Sequence, residues 1–262
     1  MMPFSVTLTN PEGAHSSEKA RHLPVSLQNG STVRVTPSTT ESYQKVYTTL
    51  LAQYDEIVVV LASDALTHGL KPAEKAIAAF GGRPSIFLVD SGTVSIGQGL
   101  LVQLAARAAL SGMSGNDIRR LLLGASAHVY SAFCVRGLTY LQQQSMVRPS
   151  QAYLGEMLKV MPFYVLEDNA FTPMLKVRNA RHMVDVLYEF ASEFSEIGHL
   201  AIVQSVPPYE SEIRVFRERI TEDYPELPIS EHKLNARLAG TLGPQTLSLF
   251  VWETNDYELK VS

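Results

Sequence analysis

The chain of 262 residues is long enough for one large domain or two smaller ones, and either can bury a substantial core. Its 45% hydrophobic and 18% charged residues exclude a disordered class, and a net charge of −4 with a pI near 6.0 excludes an overall basic field that would draw it to nucleic acid. A single cysteine, Cys134, excludes an internal disulfide, and neither a signal peptide nor an apolar run of ~18 residues is visible. The expectation is a cytoplasmic protein with no stable membrane insertion.

Taken in chain order, residues 4–9 alternate weakly as a first strand, and residues 10–21 read as a loop or short helix. Residues 22–27 suggest another strand before an Asn29-Gly30 turn, and Pro37 stops the strand around Val33 from running on. Ser38 or Thr39 can cap a helix carrying Tyr43, Val46, Tyr47 and Leu50. Ile57–Leu61 has the length and composition of a strand buried on both faces. Pro72 then fits the first turn of a helix ending near Gly81-Gly82.

The stretch IFLVDSGTVSIGQGLLVQLAARAA, residues 86–109, organises the rest. An apolar strand ends in Asp90-Ser91, a glycine-rich turn follows, and Leu100, Leu101, Leu104, Ala105 and Ala108 make one helical stripe. Two strands joined by a helix lie parallel with a right-handed crossover, so Ser63 and Asp90-Ser91 emerge on the same edge, where open α/β sheets bind ligands. The turn is not a dinucleotide fingerprint, because position 102 is Val; it is not a phosphate loop, because Gln98 follows Gly97. It is not a nucleophile elbow either, because Thr93 stands two residues before Ser95.

Ser114 with Asp117 forms a capping box for the next helix. After Tyr130 the character changes: strands at 131–135, 160–166, 174–177, 199–204 and 246–252 alternate with helices at 149–159, around Met183–Phe190, and around Ile213–Ile220. The order of elements implies a parallel α/β domain over residues 1–130 and a mixed-sheet α+β domain over 131–262. The seven histidines show no metal-binding spacing, and basic residues do not cluster with aromatics, so neither a metal site nor nucleic-acid binding is expected.

DSGTVSIGQGLLVQLAARAALSGMS resembles the DS…S-x-G-x-G-L segment of the DegV family, and FCVRGLTYL, AYLGEMLKVMP and KVR follow in the family's order. The similarity runs from about Val33 to Leu187 and, more weakly, to Pro244. The chain is thereby identified as a divergent member of that family. The resemblance implies the two-domain EDD fold, a long-chain fatty acid held in an apolar tube between the domains, opening near Thr67 and Ser91, and presentation of its carboxyl to a separate fatty-acid kinase. It implies no cofactor and no catalytic residue.

The same resemblance names the head-group residues. Arg34-Val35-Thr36-Pro37-Ser38 stands where the family has Thr-Ser-Gln-Pro-Ser, which places Arg34 at the carboxylate-binding threonine with Thr36 beside it. Leu66-Thr67-His68-Gly69 is similar to Leu-Ser-Gly-Thr, keeping a hydroxyl as Thr67 and bringing in His68. Residues 239–244 resemble Gly-Thr-His-x-Gly-Pro, with Thr241 in the histidine's place. The expected ligand set is Arg34, Thr36, Ser63, Thr67, His68, Ser91 and Thr241. Two other classes of function stay open: an enzyme acting on a small phosphorylated or carboxylated substrate at the Ser63/Ser91 edge, and a degenerate interaction module whose cleft is filled by its own side chains.

Overall fold

The computed structural model describes residues 5–10, 13–16, 19–27, 31–82 and 84–254. The Asn29-Gly30 turn lies outside the described residues. Strands β1 (Ser5–Asn10), β2 (Gly13–Ser16) and β3 (Thr32–Thr36) form an antiparallel sheet in the order β2-β1-β3. No strand covers residues 22–27; a 3-10 turn, Ala20–His22, stands there instead, and Pro24 has no N–H to give a ladder. The loop or short helix expected after residue 10 gives way in part to β2, which turns back onto β1.

The parallel pair is as expected. β4 (Ile57–Leu61) follows α1 (Thr40–Leu51), whose cap is Thr39; α2 (Asp64–Thr67) and α3 (Leu70–Ala78) then lead to β5 (Ile86–Asp90). β4 and β5 pair in parallel, Ile57 with Ile86 through Leu61 with Asp90. Alternation along both strands sorts their side chains to two layers. Ile57, Leu61 and Ile86 pack with Tyr43 and Tyr47 of α1 and Ala73 and Ala76 of α3. Val58, Val60 and Val89 face α4 (Ser95–Leu110) and α5 (Gly115–Ser126). Ser114 caps α5 by accepting the Asp117 amide, and its hydroxyl donates to Asp117 Oδ2 at 2.6 Å, so half of the expected capping box forms.

The rest of the chain is built around one sheet. β6 (Val129–Cys134), α6 (Thr139–Gln143), α7 (Pro149–Met157), β7 (Met161–Glu167) and β8 (Ala170–Val177) come first. They are followed by α8 (Ala180–Ser192), β9 (Ile197–Gln204), α9 (Glu210–Asp223), β10 (Ile229–Lys233), α10 (Ala236–Leu242) and β11 (Leu247–Glu253). The six strands run β10-β9-β11-β6-β7-β8, with β10 parallel to β9 and every other neighbour antiparallel.

The central strands of this sheet, β6 and β11 above all, are buried on both faces, whereas β8 at one edge is largely exposed and β10 at the other is only partly buried. Ala132, Cys134, Leu249 and Val251 meet α8 and α9 through Met183, Leu187, Ile213 and Phe216. Phe133, Tyr164 and Phe250 face the other way and join one apolar cluster with Leu66 and Val94, which come from beside the parallel pair. Cys134 is a buried thiol whose pKa is pushed far up by desolvation, an apolar packing group rather than a nucleophile. β1 and β3 pack against α10, and β3 also meets α6, so the first strands of the chain lie on elements from its far half. Among the described residues no helix is long and apolar enough to cross a membrane.

Candidate functional site

The carboxyl ends of β4 and β5 are tied into one edge. The Ser63 amide donates to the Thr93 carbonyl at 2.7 Å, and the Ser91 amide donates to the Leu61 carbonyl at 2.9 Å. Asp90 accepts the Asp64 amide at 3.1 Å and the Gly92 amide at 3.0 Å. Burial raises the pKa of Asp90, and those two amide bonds oppose the rise. Gly92 holds φ of 64°, a left-handed conformation that lets the chain double back at this point.

The hydroxyls on the edge are engaged with the protein. Ser63, fully buried, donates to Asn169 Oδ1 at 3.2 Å, from the tip of the β7–β8 hairpin. Ser91, also fully buried, donates to the Thr93 carbonyl at 2.9 Å. Thr67 donates back to the carbonyls of Ser63 and Ala62 at 2.9 and 3.1 Å, and His68 after it is exposed with φ of 50°. Thr93 Oγ1 and Ser131 Oγ lie 2.8 Å apart and join this edge to β6.

The expected ligand residues divide into two groups. Ser63, Thr67, His68 and Ser91 meet at the edge, and Thr241 is linked to it through Arg237. The Thr241 hydroxyl donates to the Arg237 carbonyl at 3.0 Å, and Arg237 Nη2 reaches the Thr67 carbonyl at 3.4 Å. Arg34 and Thr36 are on the other face of β3. Val33 and Val35 turn toward Gly240 of α10, so alternation sends Arg34 and Thr36 out into solvent. Arg34 and Thr36 have no hydrogen bond to the four residues at the edge among those described.

Sequence reasoning missed the groups beside Arg237. Tyr43 is buried, hydrogen-bonds to Ser38, and lies in the field of Arg237 and Asp64. Burial raises the Tyr43 pKa and lowers that of Arg237, each charge or dipole partly offsetting the other's desolvation. One signal was present: an arginine within a short helix whose other residues, Ala236, Leu238, Ala239 and Leu242 among them, are buried.

Behind the edge, aromatic side chains pack against one another. The Phe133 ring lies 5.5 Å from Phe171 and 5.8 Å from Phe250, and Tyr164 stacks on Phe171 at 4.3 Å. Two open surface hollows, of about 690 and 710 Å³, lie against α9 on the outer side. Among the described residues no group of three or more His, Cys, Asp or Glu is placed to hold a metal.

Comparison with known proteins gives this edge its context. A DegV domain-containing protein of Mycobacterium bovis is 25% identical over 135 residues, 52% of this chain and 48% of that protein, so the match spans about half the relative's length. Protein DegV of Bacillus subtilis is 23% identical over 208 residues, covering 78% of this chain and 73% of that one. Among solved structures, a DegV family protein from Eubacterium eligens loaded with heptadecanoic acid superposes with a TM-score of 0.79 at 13% identity, covering 95% of this chain and 92% of that one. The Streptococcus pneumoniae Fatty Acid Kinase (Fak) B3 protein loaded with linoleic acid gives 0.78 at 12% identity, over 95% and 90%. DegV of Bacillus subtilis, described as a fatty acid binding protein, gives 0.73 at 20% identity, over 97% and 91%. The fold is shared along nearly the whole chain, and the family model described as an uncharacterised protein of the DegV family matches residues 1–254. The chain belongs to the DegV family.

Proposed function

We propose that this protein binds one long-chain fatty acid, with the acyl chain between the parallel pair and the inner face of the six-stranded sheet and the carboxyl at the Ser63–Ser91 edge. One observation carries the reading: a continuous apolar cluster, from Phe133, Tyr164 and Phe250 to Leu66 and Val94, lies directly behind a polar edge in this fold. The Eubacterium eligens and Streptococcus pneumoniae proteins of the same fold are loaded with fatty acids. Burying a methylene contributes about 0.8 kcal/mol, so a ~16-carbon chain gains on the order of 12 kcal/mol before ordering costs. A neutral hydrogen bond to the head contributes about 1 kcal/mol net. The apolar interior thus dominates affinity, and altered head-group residues still leave a lipid binder.

The protein acts as a carrier without chemistry of its own. Ser63, Thr67 and Ser91 each direct their proton to a protein oxygen, an arrangement suited to holding the edge together rather than to nucleophilic attack. The carrier offers the bound carboxyl to a separate fatty-acid kinase; the Fak B3 likeness supports that step. Native mass spectrometry of freshly purified protein tests the proposal. We expect a mass increment equal to one fatty acid that disappears on denaturation. Apoprotein alone, with no uptake after incubation with palmitic acid, refutes it.

A further inference from the structure

Resting on that reading of the cleft, we propose that Ser248 pairs with an oxygen carried partway along the acyl chain, so that the site favours long-chain oxo acids, and hydroxy acids less strongly, over saturated ones. Ser248 is on β11, opposite Phe133 of β6 on one side and Val203 of β9 on the other. Residues directly opposite one another in neighbouring strands project to the same face of a sheet. Phe133 and Val203 belong to the apolar cluster that also holds Leu66 and Val94. Leu247 and Leu249, on either side of Ser248, face α8 and α9 instead. Ser248 therefore points to the face against which the acyl chain lies in this reading.

Its hydroxyl stands apart from the others buried on these strands. The residue is fully buried, and its Oγ has no hydrogen-bond partner within the protein. The neighbouring hydroxyls are engaged: Ser131 with Thr93 at 2.8 Å, Ser205 with the Pro207 carbonyl at 2.7 Å, and Thr246 with the Leu242 carbonyl at 3.0 Å. Burying a hydroxyl without a partner is costly, and alanine would fill the same place without that cost. The serine is accounted for if the molecule in the cleft brings an acceptor with it.

Register fixes where along the chain that acceptor falls. Ser131, joined to the edge through Thr93, stands opposite Phe250, two residues along β11 from Ser248. Strand rise and spacing put the two serine Cα atoms about 8 Å apart. The edge is on the Ser131 side, since Leu166 opposite Ser131 is nearer the Asn169 hairpin tip than Tyr164 opposite Phe133. A ligand whose carboxyl is at the edge thus passes Ser248 along its chain and not at its head. An oxo group is the best match, because it needs only a donor and the Ser248 hydroxyl has one proton to give. A chain hydroxyl accepts the same proton but adds one of its own to be satisfied, so it gains less. A methylene leaves the serine unpaired.

Competition titrations of the delipidated full chain with stearic, 10-oxostearic, 12-oxostearic and 10-hydroxystearic acids decide the matter. At least one oxo acid should bind about fivefold or more tighter than stearic acid, with the hydroxy acid between them. Ser248→Ala should abolish that preference while holding stearic acid within about twofold of the wild type. It should also raise the urea midpoint of the ligand-free protein, because an unpartnered buried hydroxyl is gone. The same preference in both proteins, or no preference for either oxo acid in the wild type, overturns the proposal. So does a lowered urea midpoint in Ser248→Ala, which would mean that the hydroxyl is already satisfied. If the wild-type chain takes up none of the four acids, the carrier reading itself fails and this inference falls with it; uptake of stearic acid without preference sinks this inference alone.

Discussion

Gly97 sits where α4 passes closest to the large sheet. A Cβ there would overlap the Thr93 hydroxyl and come within 3.0 Å of Val129 Cγ1. Thr93 is fully buried and shares its hydroxyl with Ser131, so displacing it breaks a buried polar pair and overpacks the joint between the layers. Gly97→Ala should therefore destabilise the fold by about 2–3 kcal/mol, read as a lowered urea midpoint. Gly99, two residues on, has only Ile96 Cδ1 within reach at 3.9 Å. Gly99→Ala should be neutral or stabilising by up to ~1 kcal/mol, since alanine is the better helix former. Opposite signs at two adjacent helical glycines separate close approach from propensity. Single residues also mark where reading the sequence stops. That Ser63 and Ser91 share one edge was legible because a parallel pair fixes where its strands end, a rule of local chain direction. The outward placement of Arg34 was not legible, because the face of β3 that is buried depends on α10, far along the chain.

Among elements, α10 is the one on which the small N-terminal sheet rests. Ideal Cβ placement on Gly240 brings it 2.8 Å from Val35 Cγ2 and 3.0 Å from Val6 Cγ1, both on stiff β-branched side chains. Gly240→Ala should push the sheet off the helix and cost about 1–2 kcal/mol, net of the gain in helix propensity. Val35→Ala opens space at the same contact. The double variant should be less destabilised than the sum of the two singles by about 1 kcal/mol; additivity in urea unfolding would show that β3 does not bear on Gly240. Elements with a strong period were legible: β4, β5, α4, α8 and α9 follow from apolar runs or helical stripes. β10, with Glu231 and Lys233 in the sequence ISEHK, has no apolar signal and exists because β9 offers it a parallel partner. Short α6 and α10 likewise owe their form to packing against each other and against β3.

At the scale of the whole molecule, the aromatic packing behind the edge bears on how a fatty acid would enter. The parallel pair and the large sheet are tied at the edge by Ser63 to Asn169 and Thr93 to Ser131, two bonds contributing about 1 kcal/mol each. Parting them would expose part of the apolar cluster as well, so an open form would lie a few kcal/mol above the closed one. A fatty acid that enters only this form binds at a rate capped by opening. The chain has one tryptophan, Trp252, buried against α4, and its emission reports on the joint. Stopped-flow mixing with increasing palmitic acid should give an observed rate that rises and then saturates. A rate that stays linear in ligand, with a slope near ~10⁶–10⁷ M⁻¹s⁻¹, would mean a path already open. The tie at Asn169 offers a sharper check. This residue holds φ of 56° at the hairpin tip, a conformation glycine adopts freely, so Asn169→Gly keeps the turn and removes the acceptor for Ser63. Losing about 1 kcal/mol from the closed form should raise the saturating rate roughly fivefold, with a smaller change in stability than Gly97→Ala. An unchanged limiting rate would place the barrier in the aromatic cluster of Phe133, Tyr164, Phe171 and Phe250, where Phe171→Leu should then accelerate entry instead.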